Sequence, residues 1–139
     1  MSVNDFDGLR PPTAGLRDDH DRWRLTLRDF VDEKIAPHID VWSDSGTFPD
    51  SLYEDAAKSG LLGFGFPVEL GGWSEDADLY HRIIFAEELH RLGSGVVFAD
   101  RATHWIGLPP VVQCGAKALQ ESVVRPVLAG RQRIAFAVT

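Results

Sequence analysis

The sequence predicts an all-α fold, a bundle of about six helices followed by a single C-terminal β-strand. Two observations predict it. Apolar residues recur at helical spacing through most of the chain, and the last residues, 133–139, alternate weakly and contain Ile, Phe, Val and Thr. A single strand needs a partner for its backbone hydrogen bonds, so we expect this strand to begin a β-domain that is missing from these 139 residues.

The composition is that of an ordinary globular domain. The chain has 139 residues, a net charge of −7 and 44% hydrophobic residues, which excludes disorder and disfavours nucleic acid as a partner. Cys114 is the only cysteine, so an intrachain disulfide is impossible. The longest apolar run is too short to span a membrane, and the N-terminus does not have the pattern of a signal peptide. We therefore expect a cytoplasmic protein.

Three helices are predicted in the first half of the chain, after a polar lead-in. The first begins at Asp18, where acidic residues suit the positive end of the helix dipole. Its apolar face comprises Trp23, Leu27, Phe30, Val31 and Ile35. Pro37 interrupts this helix, and a short continuation ends at Gly46. The third helix opens at Pro49–Asp50 and closes at Gly60; its apolar face comprises Leu52, Tyr53, Ala56 and Ala57.

The second half is predicted to hold an ordered loop and three more helices. The glycine-rich stretch 60–72 is the loop, with a short extended piece. A long helix runs from Ser74 or Glu75 to Leu92, and its inward residues are Leu79, Ile83, Ala86, Leu89 and His90. A helical stretch over 96–115 is broken or bent at 107–110 by its prolines. The last helix, 116–130, has a kink at Pro126 and an inward face of Leu119, Val123, Val127 and Leu128.

Searches for a self-contained catalytic or metal site in the residues find none. Phosphate-loop, nucleophile-elbow and zinc-protease motifs are missing from the sequence. Glu87 and Glu88 point about 100° apart on a helix, and Glu88 is expected to form a solvated ion pair with Arg91. His81 and His90 are too far apart along their helix to share a metal, and we find no third ligand near either one.

Two residues in the apolar stretch 96–115 are candidates for contact with a ligand. His104 could line a pocket, although a buried histidine with ordinary hydrogen bonds is the more common situation. Trp105, beside it, is the tryptophan best placed to touch a ligand.

The order of segments resembles the N-terminal helical domain of the acyl-CoA dehydrogenase family. Five segments carry the resemblance: LRDFVDEKIAP at 27–37, GLLGFGFPVELGG at 60–72, FAEELHRLG at 85–93, PVVQCG at 110–115 and LAGRQRIAFAVT at 128–139. Each is weak alone, and their shared order and spacing are specific. The polar residues 1–17 are predicted to be a flexible lead-in. The resemblance covers roughly residues 22–139 and implies the helical domain over 18–131 and the first strand of a truncated middle β-domain over 132–139.

The resemblance also implies the activity and the site. Members of the family use FAD to desaturate the α,β-bond of an acyl thioester such as acyl-CoA, and they pass electrons to an electron-transfer flavoprotein or a similar acceptor. By match to the family, Phe136, Val138 and Thr139 would contact the flavin, and Ala102, Thr103 and Ile106 would form the floor of the acyl pocket. The family's catalytic glutamate lies in the C-terminal domain, so no residue of this chain is predicted to be catalytic. Full-length members are usually homotetramers.

Other interpretations stay open at the level of sequence. The chain is a fragment of a longer enzyme or, less commonly, part of a split one, and in either case we expect it to be inactive alone. A non-catalytic interaction module would use the same helices without flavin chemistry. An acyl-CoA oxidase or a flavin monooxygenase would keep the fold and change the reaction.

Overall fold

The computed structural model describes residues 14–73, 76–93, 95–135 and 137, with 95–103 described in the backbone only. Within these residues the fold is helical, which confirms the predicted class. Its six α-helices are α1 (Asp18–Phe30), α2 (Ile39–Ser45), α3 (Ser51–Lys58), α4 (Leu79–His90), α5 (Gly95–Cys114) and α6 (Lys117–Leu128). None of the described helices combines the length and the apolarity that a membrane crossing requires.

The first three helices follow the sequence closely. The side chains of Trp23, Leu27 and Phe30 are buried along α1, as their spacing predicts. The chain then passes through a wide π-helical turn, Val31–Ile35, and a tight 3₁₀ turn, Ala36–His38, before α2. Pro37 lies in that tight turn, because proline lacks the N–H that a continuing α-helix would use. Gly46 ends α2 with a φ of 68°.

The glycine-rich stretch forms an ordered loop with a short extended piece, as predicted. Phe64 pairs with Trp73 in an isolated parallel bridge, in which the Gly65 N–H donates to the Trp73 carbonyl at 2.9 Å. A Cβ on Gly72 would lie 2.2 Å from the Phe66 carbonyl oxygen. Only glycine allows this close approach of two backbone segments.

Two hydrophobic clusters form the core. The larger cluster joins α1, α3 and α4 with the first part of the loop, and includes Leu27, Leu62 and Phe85. The smaller cluster joins α5, α6 and the end of the loop; it comprises Phe66, Leu70, Leu108, Val124, Val127 and Leu128. Trp105 packs against both clusters. The loop and Trp105 therefore link the two halves of the bundle.

The buried face of α4 differs from the predicted one. Leu79 and Ile83 are exposed, Leu79 at 69%, and His90 is also exposed. Leu89 is buried as predicted, and the other buried residues are His81, Ile84, Phe85 and Glu88. The helix begins at Leu79 rather than at Ser74 or Glu75, because the Asp78 carboxylate caps it by accepting from the His81 backbone N–H at 3.2 Å.

Two predictions about α5 and α6 are corrected. The helix α5 continues through Pro109 and Pro110 without a break, although each proline removes one backbone donor. On α6, Val127 and Leu128 are buried as expected, whereas Leu119 in the first turn is exposed.

The C-terminal strand stays a prediction. Residues 133–135 and 137 have no regular secondary structure, as expected for strand residues without a ladder partner among the described residues. Phe136, Val138 and Thr139 lie outside the described residues.

Candidate functional site

The helix α5, which carries the residues predicted to form the acyl pocket, has one buried face and one exposed face. His104 and Leu108 are buried in the bundle, whereas Ile106 between them is 55% exposed. Burying an isoleucine side chain contributes about 1.5–3 kcal/mol, so its exposure leaves an apolar surface available for a ligand or another part of a larger protein. The role of Ile106 in a pocket stays a prediction.

The other predicted pocket positions share a side of this helix with Ile106. Ala102 and Thr103 lie within α5, four and three residues before Ile106. Positions at these separations lie one turn apart on the same helix face. Their side chains lie outside the described part of the structure, as do the predicted flavin contacts Phe136, Val138 and Thr139.

The chain leaving α6 is held against the bundle at three points. Gly130 turns it with a φ of 71°, so close to α3 that a Cβ there would lie 2.6 Å from the Tyr53 carbonyl oxygen. The Arg133 guanidinium lies 4.5 Å from the centre of the Tyr53 ring and is ion-paired with Asp50. Ile134 then packs on the backbone of Gly107 in α5, next to Ile106. The segment that leads to the predicted strand is thus fixed relative to the predicted pocket wall.

A cavity of about 120 Å³ opens between the loop, α4 and α5. Its walls are largely aromatic or apolar, and they include Phe64, Phe66 and Trp105. The Trp105 ring stacks on Phe85 with centroids 4.4 Å apart, and the Arg82 guanidinium lies 5.9 Å from its centre. Trp105 thus lines a cavity, whereas His104 is buried beside aromatic rings and is not among the residues that line this cavity. The predicted contact of Trp105 with a ligand stays a prediction.

A network of histidines and carboxylates joins the beginnings of α1 and α4. Asp78 Oδ1 lies 3.0 Å from His20 Nε2 and 3.0 Å from His81 Nδ1. His20 Nδ1 is itself an acceptor and a carboxylate can only accept, so His20 Nε2 donates to Asp78. His81 Nδ1 also accepts from the Asp78 backbone N–H at 3.3 Å. Arg17 donates from its backbone N–H to His20 Nδ1 at 3.0 Å and from its guanidinium to Asp78 at 2.9 Å. Burial acts to raise the pKa of Asp78, but the donors from His81, His20 and Arg17 outweigh it and hold this pKa well below its usual range.

Sequence spacing missed this network, although it brings possible metal ligands together. The ligand atoms of Asp19, His20 and His81 lie within 4.8 Å of one another. His20 lies on α1 and His81 on α4, so spacing along one helix could not reveal the pair. Both ring nitrogens of His20 are already bonded, and the cationic Arg17 lies against Asp19 and Asp78. The arrangement therefore serves as an ion-pair network between α1 and α4.

Glu88 is the second buried ionic centre. Its carboxylate, 1% exposed, accepts from Arg24 at 3.0 Å and from Arg28 at 2.9 Å, and it lies 3.3 Å from Arg91 Nε. The predicted ion pair with Arg91 is present, but it is buried rather than solvated. Arg24 and Arg28 belong to α1 and Glu88 belongs to α4, so the cluster stabilises the packing of these two helices.

Comparisons with known proteins identify the family to which this chain is similar. The family model described as "Acyl-CoA dehydrogenase, N-terminal domain" matches residues 17–131. Acyl-CoA dehydrogenase apdG of Emericella nidulans is 28% identical over 92% of this chain and 33% of that protein. Subunit CarC of the caffeyl-CoA reductase–Etf complex of Acetobacterium woodii is 30% identical over 84% of this chain and 30% of that protein.

The structural comparison agrees with the sequence comparison. A Mycobacterium smegmatis crystal structure assigned as an acyl-CoA dehydrogenase superposes with a TM-score of 0.78 at 33% identity. The superposition covers 87% of this chain and 32% of that one. The chain thus spans about a third of the length of the proteins it matches.

Proposed function

The chain belongs to the acyl-CoA dehydrogenase family and corresponds to the N-terminal domain of its members, and we propose that it is part of an enzyme that desaturates an acyl thioester. In that reaction a hydride leaves the β-carbon and a proton leaves the α-carbon, so that a double bond forms between them. The observation that carries this proposal is the family match across residues 17–131. The substrate would be an acyl-CoA or a related acyl thioester.

The share of this chain in the reaction is to wall the acyl pocket. The exposure of Ile106 on α5, with Ala102 and Thr103 on the same side of the helix, supports this role. Apolar side chains on such a wall discriminate between acyl chains by excluding or admitting methylene groups. The catalytic base would come from the remainder of the enzyme, since no group of this chain is proposed to take the α-proton.

The cofactor we propose is FAD. Bound FAD would accept the hydride. Phe136, Val138 and Thr139 are the residues of this chain proposed to contact it, Thr139 through its hydroxyl group and Val138 through its backbone.

Partners follow from the same proposal. An electron-transfer flavoprotein or a similar acceptor would take the electrons from the reduced flavin; the relative from Acetobacterium woodii is itself a subunit of a complex that includes Etf. The complete enzyme would be a homo-oligomer, with a tetramer as the expected form.

Replacing Ile106 by alanine in the complete enzyme tests the pocket. The change removes three carbon atoms from the proposed wall, so we expect the ratio of kcat/KM values to shift about tenfold toward longer acyl chains. The measurement is kcat/KM over a series of acyl-CoA chain lengths. Leu119→Ala is the matched control, because Leu119 is also an exposed apolar residue and lies on α6. An unchanged chain-length profile in Ile106→Ala would remove Ile106 from the pocket.

A further inference from the structure

Gly107 lies within α5 at a point where another part of the chain comes very close to the position a side chain would take. A Cβ there would lie 3.0 Å from Cγ1 and 3.2 Å from Cδ1 of Ile134. Glycine weakens a helix relative to alanine, so its presence here has a local cost. The lack of a side chain at Gly107 allows Ile134 to approach the α5 backbone closely.

Ile134 is held in place from both sides. Its side chain packs against the smaller hydrophobic cluster, which includes Leu108 and Val124. The preceding residue, Arg133, contacts the Tyr53 ring on α3 and, just before that helix, the Phe48 ring and the Asp50 carboxylate. Consecutive residues thus bind to two different parts of the bundle, which leaves the backbone between them little freedom to slide along α5.

We propose that the contact between Gly107 and Ile134 determines acyl-chain selectivity by fixing the outgoing chain against the pocket wall. Gly107 directly follows Ile106, the proposed wall residue, and Ile134 shortly precedes the segment proposed to reach the flavin. The contact therefore fixes the position of Ile134 and of the chain around it relative to the proposed wall residue Ile106. Gly107 and Ile134 are positioning residues, and the inference rests on the proposed function.

A double-mutant cycle on this 139-residue chain tests the contact itself, by urea unfolding of the wild type, Gly107→Ala, Ile134→Ala and the double variant. With Ile134 present, we expect Gly107→Ala to lower the unfolding midpoint, because the new methyl group must displace Ile134. In the Ile134→Ala background, the same change should raise the midpoint, because the clash is gone and alanine favours the helix. A change of the same sign in both backgrounds would overturn the proposal.

The same four forms of the complete enzyme test selectivity. The readout is the ratio of kcat/KM for a short and a long acyl-CoA within each variant, because loss of folded enzyme cancels in this ratio. We expect Gly107→Ala to change the ratio about threefold or more with Ile134 present and to leave it unchanged in the Ile134→Ala background. An unchanged ratio with Ile134, or an equal change in both backgrounds, would overturn the inference.

The Ile106→Ala variant separates this inference from the proposed function. If Ile106→Ala shifts the chain-length profile and Gly107→Ala does not, the pocket stands and the positioning role is wrong. If the complete wild-type enzyme oxidises no acyl thioester, the proposed function fails and the selectivity role fails with it.

Discussion

Glu88 is buried against α1, and its charge is balanced by arginines that come from two parts of the chain. Burial acts to raise the pKa of its carboxyl group, but hydrogen bonds from Arg28 and Arg24 outweigh it and lower this pKa below its ordinary value of 4.5. Removing one partner of a buried ion pair leaves the others desolvated and uncompensated, which costs more than the pair contributes when intact. Glu88 is therefore one charged residue on which the stability of the α1–α4 contact depends.

We expect Glu88→Gln to lower the free energy of unfolding at pH 7 by about 3 kcal/mol, because the Arg24 and Arg28 guanidinium groups lose a buried anionic partner. Glu87→Gln is the matched control. Glu87 is also paired with Arg24, but its side chain is exposed, so its change should cost at most about 1 kcal/mol. Urea unfolding of both variants measures the difference, and equal losses would contradict the role given to burial.

The lowered pKa of Glu88 predicts that the stability lost in Glu88→Gln depends on pH. The folded-state pKa of Glu88 is lowered, so its stabilising contribution is complete above the ordinary glutamate pKa and is lost as the pH falls below it. The gap in unfolding free energy between wild type and Glu88→Gln should therefore shrink as the pH is lowered from about 7 to about 3. A gap that is constant over this range would show that Glu88 is already protonated or exposed at pH 7.

At the scale of elements, the turns after α2 and α6 use the same backbone conformation in different surroundings. Gly46 and Gly130 both have positive φ values, 68° and 71°. A Cβ on Gly46 would meet nothing within 4 Å, whereas one on Gly130 would collide with the backbone of α3 at Tyr53. The turn at Gly130 is therefore constrained by conformation and by packing together.

We expect Gly46→Ala to lower the unfolding free energy by about 1 kcal/mol, which is the cost of a left-handed conformation for a residue with a side chain. Gly130→Ala should cost about 3 kcal/mol, because overpacking against the Tyr53 carbonyl adds to that strain. Urea unfolding of the two variants side by side measures the difference. If both variants lose the same stability, the turn after α6 does not make the close contact with α3.

At the scale of the whole molecule, this chain supplies one part of a larger proposed site. It spans about a third of its relatives, and it exposes apolar side chains at Leu79, Ile83 and Ile106. Such side chains offer surfaces that the remainder of an enzyme could cover. The proposed flavin contacts are limited to its last four residues.

We therefore expect the 139-residue chain to remain colourless after incubation with FAD and gel filtration, and the complete protein to be yellow. A visible absorption spectrum of each preparation measures this. A yellow 139-residue chain would show that it holds the flavin by itself. A complete protein that stays colourless and gains no activity with added FAD would overturn the proposed function.

The sequence by itself determined the helical class, the ends of α2 and α3, the buried apolar residues of α1 and the family, since each depends on patterns within short segments or on their order. The tertiary structure decided which face of α4 is buried. Hydrophobic periodicity predicted that Leu79 and Ile83 face inward. Glu88 is buried instead, because Arg24 and Arg28 on α1 balance its charge. These arginines lie 64 and 60 residues away in the sequence, so the pattern within α4 could not reveal them. The contacts of His20 with His81 and of Ile134 with Gly107 likewise join residues that are far apart in the sequence. The cost of burying a charge, or of keeping a glycine in a helix, depends on neighbours that only the folded chain brings together.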